Sequence, residues 1–237
     1  MIPYTIVTIS DTHNKHKQLD IPYGDILIHA GDFSSRGYKH EIEDFIKWYS
    51  KKPHEHKILI AGNHDINTDY NKNPEMAKQF IKDCEKAGII LLNDSSCEID
   101  TLMGETIKIF GSPIQPEFGF GWAYNRRRGV QIKEHWDKIP KDTDILVTHG
   151  PPYNILDRCI YGGHNAGCTE LSNAIARIKP KMHIFGHIHE DRGVEVIDGT
   201  TYVNSSSLTL KYIPYIEKQY CFNWDKVKNG QSSGRDY

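Results

Sequence analysis

The stretch that decides the fold is ILIAGNHD, residues 58–65, an apolar run that stops at a glycine and is followed by Asn63, His64 and Asp65. Four further stretches repeat the design: TIVTISDTH (5–13) ending in Asp11 and His13, DILIHAGD (25–32) ending in Asp32, DILVTHG (144–150) carrying His149, and HIFGHIH (183–189) ending in His187 and His189. Short runs of Ile, Leu and Val bounded by Gly or Asp are expected to be strands buried on both faces. In open α/β sheets, sites lie just beyond the carboxyl ends of such strands. One site assembled from five segments is therefore expected.

Working outward, Tyr38 to Lys51 places Ile42, Phe45, Ile46 and Tyr49 at helical spacing, and Pro74-Glu75 suits the first turn of a helix running to about Ala87. With the strands on either side of them, these make βαβ units. Ile89–Leu92, Ser96–Ile99 and Thr106–Phe110 are expected as shorter strands, Val130–Lys138 as a short helix, and Thr169 as the N-cap of a helix that Pro180 ends. Val194–Ile197 and Thr201–Asn204, around Asp198-Gly199, form a hairpin, and Gln219–Trp224 a last strand. The segment 1–224 is one domain, followed by a polar tail over 225–237. Ser112–Arg128, SPIQPEFGFGWAYNRRR, interrupts the alternation as a long aromatic loop, a kind of segment that is often functional.

The chain has 237 residues, a formal net charge of −2 from 29 basic and 31 acidic side chains, and 38% hydrophobic residues, which fits one large globular domain. Near-neutral charge gives no broad attraction for a long nucleic acid, and no stretch approaches a membrane span. The N-terminus lacks the pattern of a cleaved signal. Five cysteines without CxxC spacing indicate neither a disulfide framework nor a zinc knuckle, so a cytoplasmic setting is expected. The oligomeric state leaves no readable pattern.

The strand ends collect Asp11, His13, Asp32, Asn63, His149, His187 and His189. This mixture of carboxylate, amide and imidazole suits two divalent ions of manganese, iron or zinc, a pair able to polarise a phosphoryl oxygen and activate water. Seven ligands supply four protein contacts to each ion only if one is shared, and a carboxylate with two oxygens is the natural bridge. His64 is a candidate proton donor, with Asp65 expected to orient its ring. Asn125, Arg126, Arg127 and Arg128, the one dense basic cluster, are candidates for phosphate recognition. His29, inside a strand, is expected to be a core histidine.

These motifs, DxH, GD, GNH(D/E), a lone histidine and GHxH in order, resemble the calcineurin-like metallophosphoesterases, and the match spans most of the chain. The resemblance implies a four-layer α/β/β/α sandwich with two mixed sheets. It assigns Asp11, His13, Asp32 and His189 to one metal and Asp32, Asn63, His149 and His187 to the other, with Asp32 as bridge. It also implies in-line attack on phosphorus by a bridging hydroxide, assisted by His64. WAYNRRRG, THGPP, GCTEL and FGHIHEDRG look closest to the metallophosphoesterase-domain-containing branch, which resembles cyclic-nucleotide phosphodiesterases. Asn14 stands where glycine is common in the wider superfamily. The expected substrate is a small phosphodiester such as a nucleotide. A phosphomonoesterase or protein phosphatase, a nuclease, and a metal-binding non-catalytic scaffold are the alternatives.

Overall fold

Alternate side chains of the central strands go to different cores, and that alternation builds the layers. The computed structural model describes residues 4–102, 104–119, 121–217 and 219–231. In β1 (Thr5–Ile9), β2 (Ile26–Ala30) and β3 (His56–Ile60), one set of residues (Ile6, Ile26, Ile28, Ile58, Ile60) faces a second sheet. The other set (Val7, Ile9, Leu27, Leu59) packs on Phe45 and Tyr49 of α1 (Lys39–Tyr49) and Phe80 of α2 (Pro74–Lys86). The second sheet repeats this. Ile145 and Val147 of β9 (Ile145–Thr148) and Met182 and Ile184 of β10 (Met182–Phe185) face inward, while Leu146 and Phe185 pack on helices. The run therefore reads as continuously apolar although its period is two.

The remaining elements in chain order are β4 (Ile90–Leu91), β5 (Ser95–Asp100), β6 (Thr106–Ser112), β7 (Gln115–Pro116), β8 (Asn125–Arg126), α3 (Val130–Trp136), β9 (Ile145–Thr148), α4 (Thr169–Ile178), β10 (Met182–Phe185), β11 (Gly193–Ile197), β12 (Thr200–Asn204), β13 (Tyr220–Asn223) and α5 (Trp224–Val227). The first sheet runs β13-β1-β2-β3-β4 and the second β11-β12-β10-β9-β6-β5. Each is parallel at its centre, with antiparallel edges at β13, β11 and β5. Helices α1 and α2 cover one sheet, α3 and α4 the other. This is the expected four-layer α/β/β/α sandwich, and the parallel strands β1, β2, β3, β9 and β10 end toward one site.

Local chemistry sets the helix limits. Glu41 accepts from the Tyr38 amide (2.9 Å) at the start of α1, and Asn73 caps α2 through the Met76 amide (3.2 Å). The cap of α4 is Cys168 rather than Thr169, which is already helical. The aromatic loop is less irregular than expected, because β7 and β8 pair in parallel inside it; Phe120 lies outside the described residues. The tail expected from 225 is ordered at its start. Trp224 and Val227 of α5 are buried between the sheets, whereas 232–237 lie outside the described residues.

Candidate metal centre

Four of the seven proposed ligands leave their strands at turns that ordinary residues adopt with difficulty. Asp11 (φ 52°), His13 (φ 36°), Asp32 (φ 55°) and His187 (φ 71°) all occupy the left-handed region, at a cost of about 1–3 kcal/mol each. The neighbouring strand ends hold them there. Asp11 N–H donates to Gly31 O (2.9 Å) and His13 N–H to Asp32 O (3.1 Å). The motif glycines are steric requirements: a Cβ on Gly62 would overlap the Asp32 carboxylate and the His149 ring, and one on Gly186 would overlap Asp11 and Ser10.

Side chains from both sheets meet in two adjoining groups. Asp11, His13 and His189 form one; Asp32, His149 and His187 form the other; and between them His13 and Asp32 also converge with His64. In the first, His13 Nε2 and His189 Nε2 face each other at 3.2 Å, with Asp11 Oδ1 3.5 Å from His189 Nε2. In the second, His149 Nε2 lies 2.9 Å from Asn63 Oδ1 and 3.3 Å from Asp32 Oδ2. The same Asp32 Oδ2 is 3.8 Å from His13 Nε2, so Asp32 stands between the groups. All seven residues expected as ligands are here.

The direction of the ring nitrogens shows that these donors suit a cation. The Nδ1 atoms of His13, His149 and His189 face the carbonyls of Ser34 (3.2 Å), Ala30 (2.8 Å) and Thr209 (3.2 Å). A carbonyl only accepts, so each Nδ1 carries the hydrogen and each Nε2 turns inward beside carboxylate and amide oxygens. Such convergence needs a positive charge at its centre. Burial would raise the Asp11 and Asp32 carboxyls, but the surrounding imidazoles hold both below the usual carboxylate range. Burial drives His13 down to about 4 and His187 to about 3. Burial would also lower His149, yet Asp32 and Asp11 lift it to about 9, so a proton and a metal compete for this nitrogen.

His64 and Asp65 diverge. The His64 ring meets His13 edge-on at 4.6 Å, and its Nδ1 donates to Ser35 O (2.8 Å). Asp65 is not its orienting partner, contrary to the sequence-based expectation. The Asp65 carboxylate is buried and accepts from Gly62 N–H (2.8 Å), Ser34 N–H (2.9 Å) and Ser34 Oγ (2.6 Å), tying the ends of β2 and β3 together. Asn14, in a left-handed turn, donates to Ser35 Oγ (2.9 Å) and Glu41 (2.6 Å) and so steadies the Ser35 segment.

The basic run serves the scaffold rather than the centre. Arg126 donates to His135 (3.2 Å), Arg128 donates to the Ala166 and Gly167 carbonyls (both 2.8 Å), and the exposed Arg127 lies 3.7 Å from Glu117. Asn125 donates to Phe118 O (3.0 Å) and accepts from Gln115. The aromatic loop instead brings rings to the centre. Trp122 lies 4.2 Å from His64 and Phe118 lies 5.0 Å from His187, while from a different turn Tyr212 lies 4.9 Å from His13. The cation at this rim is Arg36, 5.1 Å from the Trp122 ring. Arg36 and Tyr212 belong to no strand-end motif, and only proximity in the fold singles them out. His29 is a satisfied core residue, as expected: its Nδ1 accepts from Gly31 N–H, and Nε2 meets Thr12 Oγ1 at 3.0 Å.

Parallel strands of two sheets delivering carboxylates, an amide and imidazoles to one paired cluster define a metal-dependent phosphoester hydrolase. The chain belongs to the calcineurin-like phosphoesterase family, whose model matches residues 4–191. It is 40% identical over 220 residues to metallophosphoesterase domain-containing protein 1 of Homo sapiens, covering 88% of this chain and 67% of that protein. It is 36% identical over 207 residues to UPF0046 protein K07C11.7 of Caenorhabditis elegans, covering 86% and 70%. Among solved structures, phosphopantetheinyl hydrolase from Mycobacterium tuberculosis shares the fold with a TM-score of 0.66 at 17% identity, covering 92% of this chain and 95% of that one.

Proposed function

We propose that the protein hydrolyses phosphodiesters, with nucleotides, cyclic nucleotides included, as the preferred class. The observation that supports this reading is the rim: Phe118 and Tyr212 stand by the ligand imidazoles of His187 and His13, Trp122 stands by His64, and the Arg36 guanidinium lies beside Trp122. Aromatic faces suit a substrate whose phosphorus carries an organic group such as a nucleobase-bearing sugar.

Asp11, His13, Asp32 and His189 would hold one divalent ion, and Asp32, Asn63, His149 and His187 the second, with Asp32 shared. When bound, manganese, iron or zinc ions supply Lewis-acid polarisation of the phosphoryl oxygen and an activated water. His64 serves the departing ester oxygen through Nε2, since the Ser35 carbonyl keeps Nδ1–H in place and fixes the ring. Arg36 contacts a phosphoryl oxygen, and Trp122 positions His64 and excludes water from it.

Among the described residues no helix is long and apolar enough to cross a membrane. The five free thiols support our placing the protein in the reducing cytoplasm. The test is turnover of bis-p-nitrophenyl phosphate, p-nitrophenyl phosphate and 2',3'- and 3',5'-cyclic nucleotides by metal-stripped protein given back manganese, zinc or iron. Metal-restored diester cleavage that exceeds monoester cleavage is expected. Faster monoester turnover would make the protein a phosphomonoesterase, and two bound ions without any turnover would make it a scaffold.

A further inference from the structure

The reaction outlined above leaves an apolar groove on the His189 flank of the centre without a role. It encloses about 600 Å³ between the turn 209–217 and Ile160, lined chiefly by Ile160, Leu210, Ile213, Pro214, Tyr215 and Ile216. That volume is within the range of organic-ligand pockets. Ile160 (66%), Ile213 (57%) and Ile216 (101%) are far more exposed than side chains of their type usually are, and clustered exposed apolar groups mark a binding surface.

Both walls are fastened to the segment that carries the ligand His189. On one side, Arg158 N–H donates to Asp191 (2.8 Å) and Ile160 N–H to Glu190 (3.0 Å). On the other, His189 Nδ1 donates to Thr209 O (3.2 Å), and Tyr215 Oη donates to His189 O (2.7 Å). The turn closes through Thr209 N–H to Ile213 O (2.9 Å) and Tyr212 N–H to Thr209 O (2.8 Å). It holds Tyr212 in a left-handed conformation (φ 56°) with its ring 5.5 Å from His189 and 4.9 Å from His13. The groove thus adjoins the segment that carries His189, and Tyr212, between the lining residues Lys211 and Ile213, turns its ring to the centre.

We infer that the groove takes the aliphatic alcohol of an amphiphilic phosphodiester, an inference that rests on the phosphodiester reading above. A diester carries two organic arms on phosphorus. With one arm against Trp122 and Phe118, the second leaves past Tyr212 into a channel that offers apolar contact. Glu190, the Thr209 carbonyl and the Tyr215 hydroxyl are engaged within the protein, and the charged lining residues are Glu190, Lys211 and Glu217, so the wall from Leu210 to Ile216 offers an alkyl chain mainly apolar contact. A cyclic nucleotide, whose two ester oxygens belong to one sugar, would leave the groove unfilled.

The test is calorimetric binding of methyl, butyl, octyl and dodecyl methyl phosphate, below their micelle concentrations, to the full chain supplied with manganese, with hydrolysis followed separately. The dissociation constant is expected to fall about two- to fourfold per added methylene until the groove is filled. Ile213→Asp and Ile216→Asp, on an exposed turn, should flatten that dependence while melting as the wild type does. An affinity independent of chain length in wild-type protein overturns the inference, even if every ester is cleaved. A chain-length dependence without cleavage sustains the groove while overturning the diesterase reading. Concentration-dependent dimerisation abolished by Ile216→Asp, with no chain-length effect, would make this face a contact between copies and also overturns the inference.

Discussion

Adjacent residues His64 and Asp65 have unlike duties, and each can be removed separately. His64 is half-buried at the rim and bonds to no metal-group carboxylate through its ring. His64→Ala should therefore lower diester turnover by about 10²-fold or more while metal content, read by mass spectrometry, stays at the wild-type level. Unchanged turnover would remove His64 from the mechanism. Asp65→Ala strips buried N–H and O–H donors of their acceptor and should cost about 3 kcal/mol in urea unfolding, with metal occupancy falling too. If Arg36 is the phosphate contact, Arg36→Ala raises KM severalfold, and Arg127→Ala, on a side chain 83% exposed, leaves KM within error. The reverse ranking would return phosphate recognition to the basic run.

Between elements, Asp94 is the junction that fixes α3 against the end of β6. It accepts from Ser112 Oγ (2.7 Å), His135 Nδ1 (2.6 Å) and Lys138 Nζ (2.7 Å), and His135 in turn accepts from Arg126 at the root of the aromatic loop. Burial opposes the charge on Asp94, but the bonds from His135, Lys138 and Ser112 outweigh it and bring the carboxyl down to about 2. A depressed carboxyl stabilises the fold above its ordinary value near 4, and that stabilisation is lost as pH falls through about 2. Allowing for solvent screening, Asp94→Asn should cost about 1 kcal/mol at neutral pH. The deficit against wild type in chemical unfolding should shrink below about pH 4; a deficit constant with pH would show that charge is not what Asp94 contributes. At the other end of the molecule, Asn73→Ala should cost about 1 kcal/mol by uncapping α2.

At the scale of the whole molecule, the centre joins the two sheets, since Asp11, Asp32 and Asn63 come from one and His149, His187 and His189 from the other. Metal binding should therefore stabilise the complete fold. Ions at about a hundred times their dissociation constant should add about 2.7 kcal/mol, read as a rise in Tm that chelation reverses and that Asp32→Asn largely removes. A Tm indifferent to metal would contradict a centre held by both sheets. The strand series and the ligand set were legible in the chain because both are local: strands buried on both faces must be continuously apolar, and each ends where a polar side chain can leave the sheet. The roles of Asp65 and of Arg126 to Arg128 were not legible, since most of their partners lie 9 to 39 residues away and a charge in sequence does not disclose what neutralises it. The same holds for Arg36 and Tyr212, which no motif marks. Sequence alone determined the long apolar strands of the two sheets, the residues that crown them and the class of chemistry they support. Only the tertiary structure decided what surrounds that chemistry, the aromatic rim and the apolar groove, because such walls are made by side chains from distant turns that meet only when the sheets have packed.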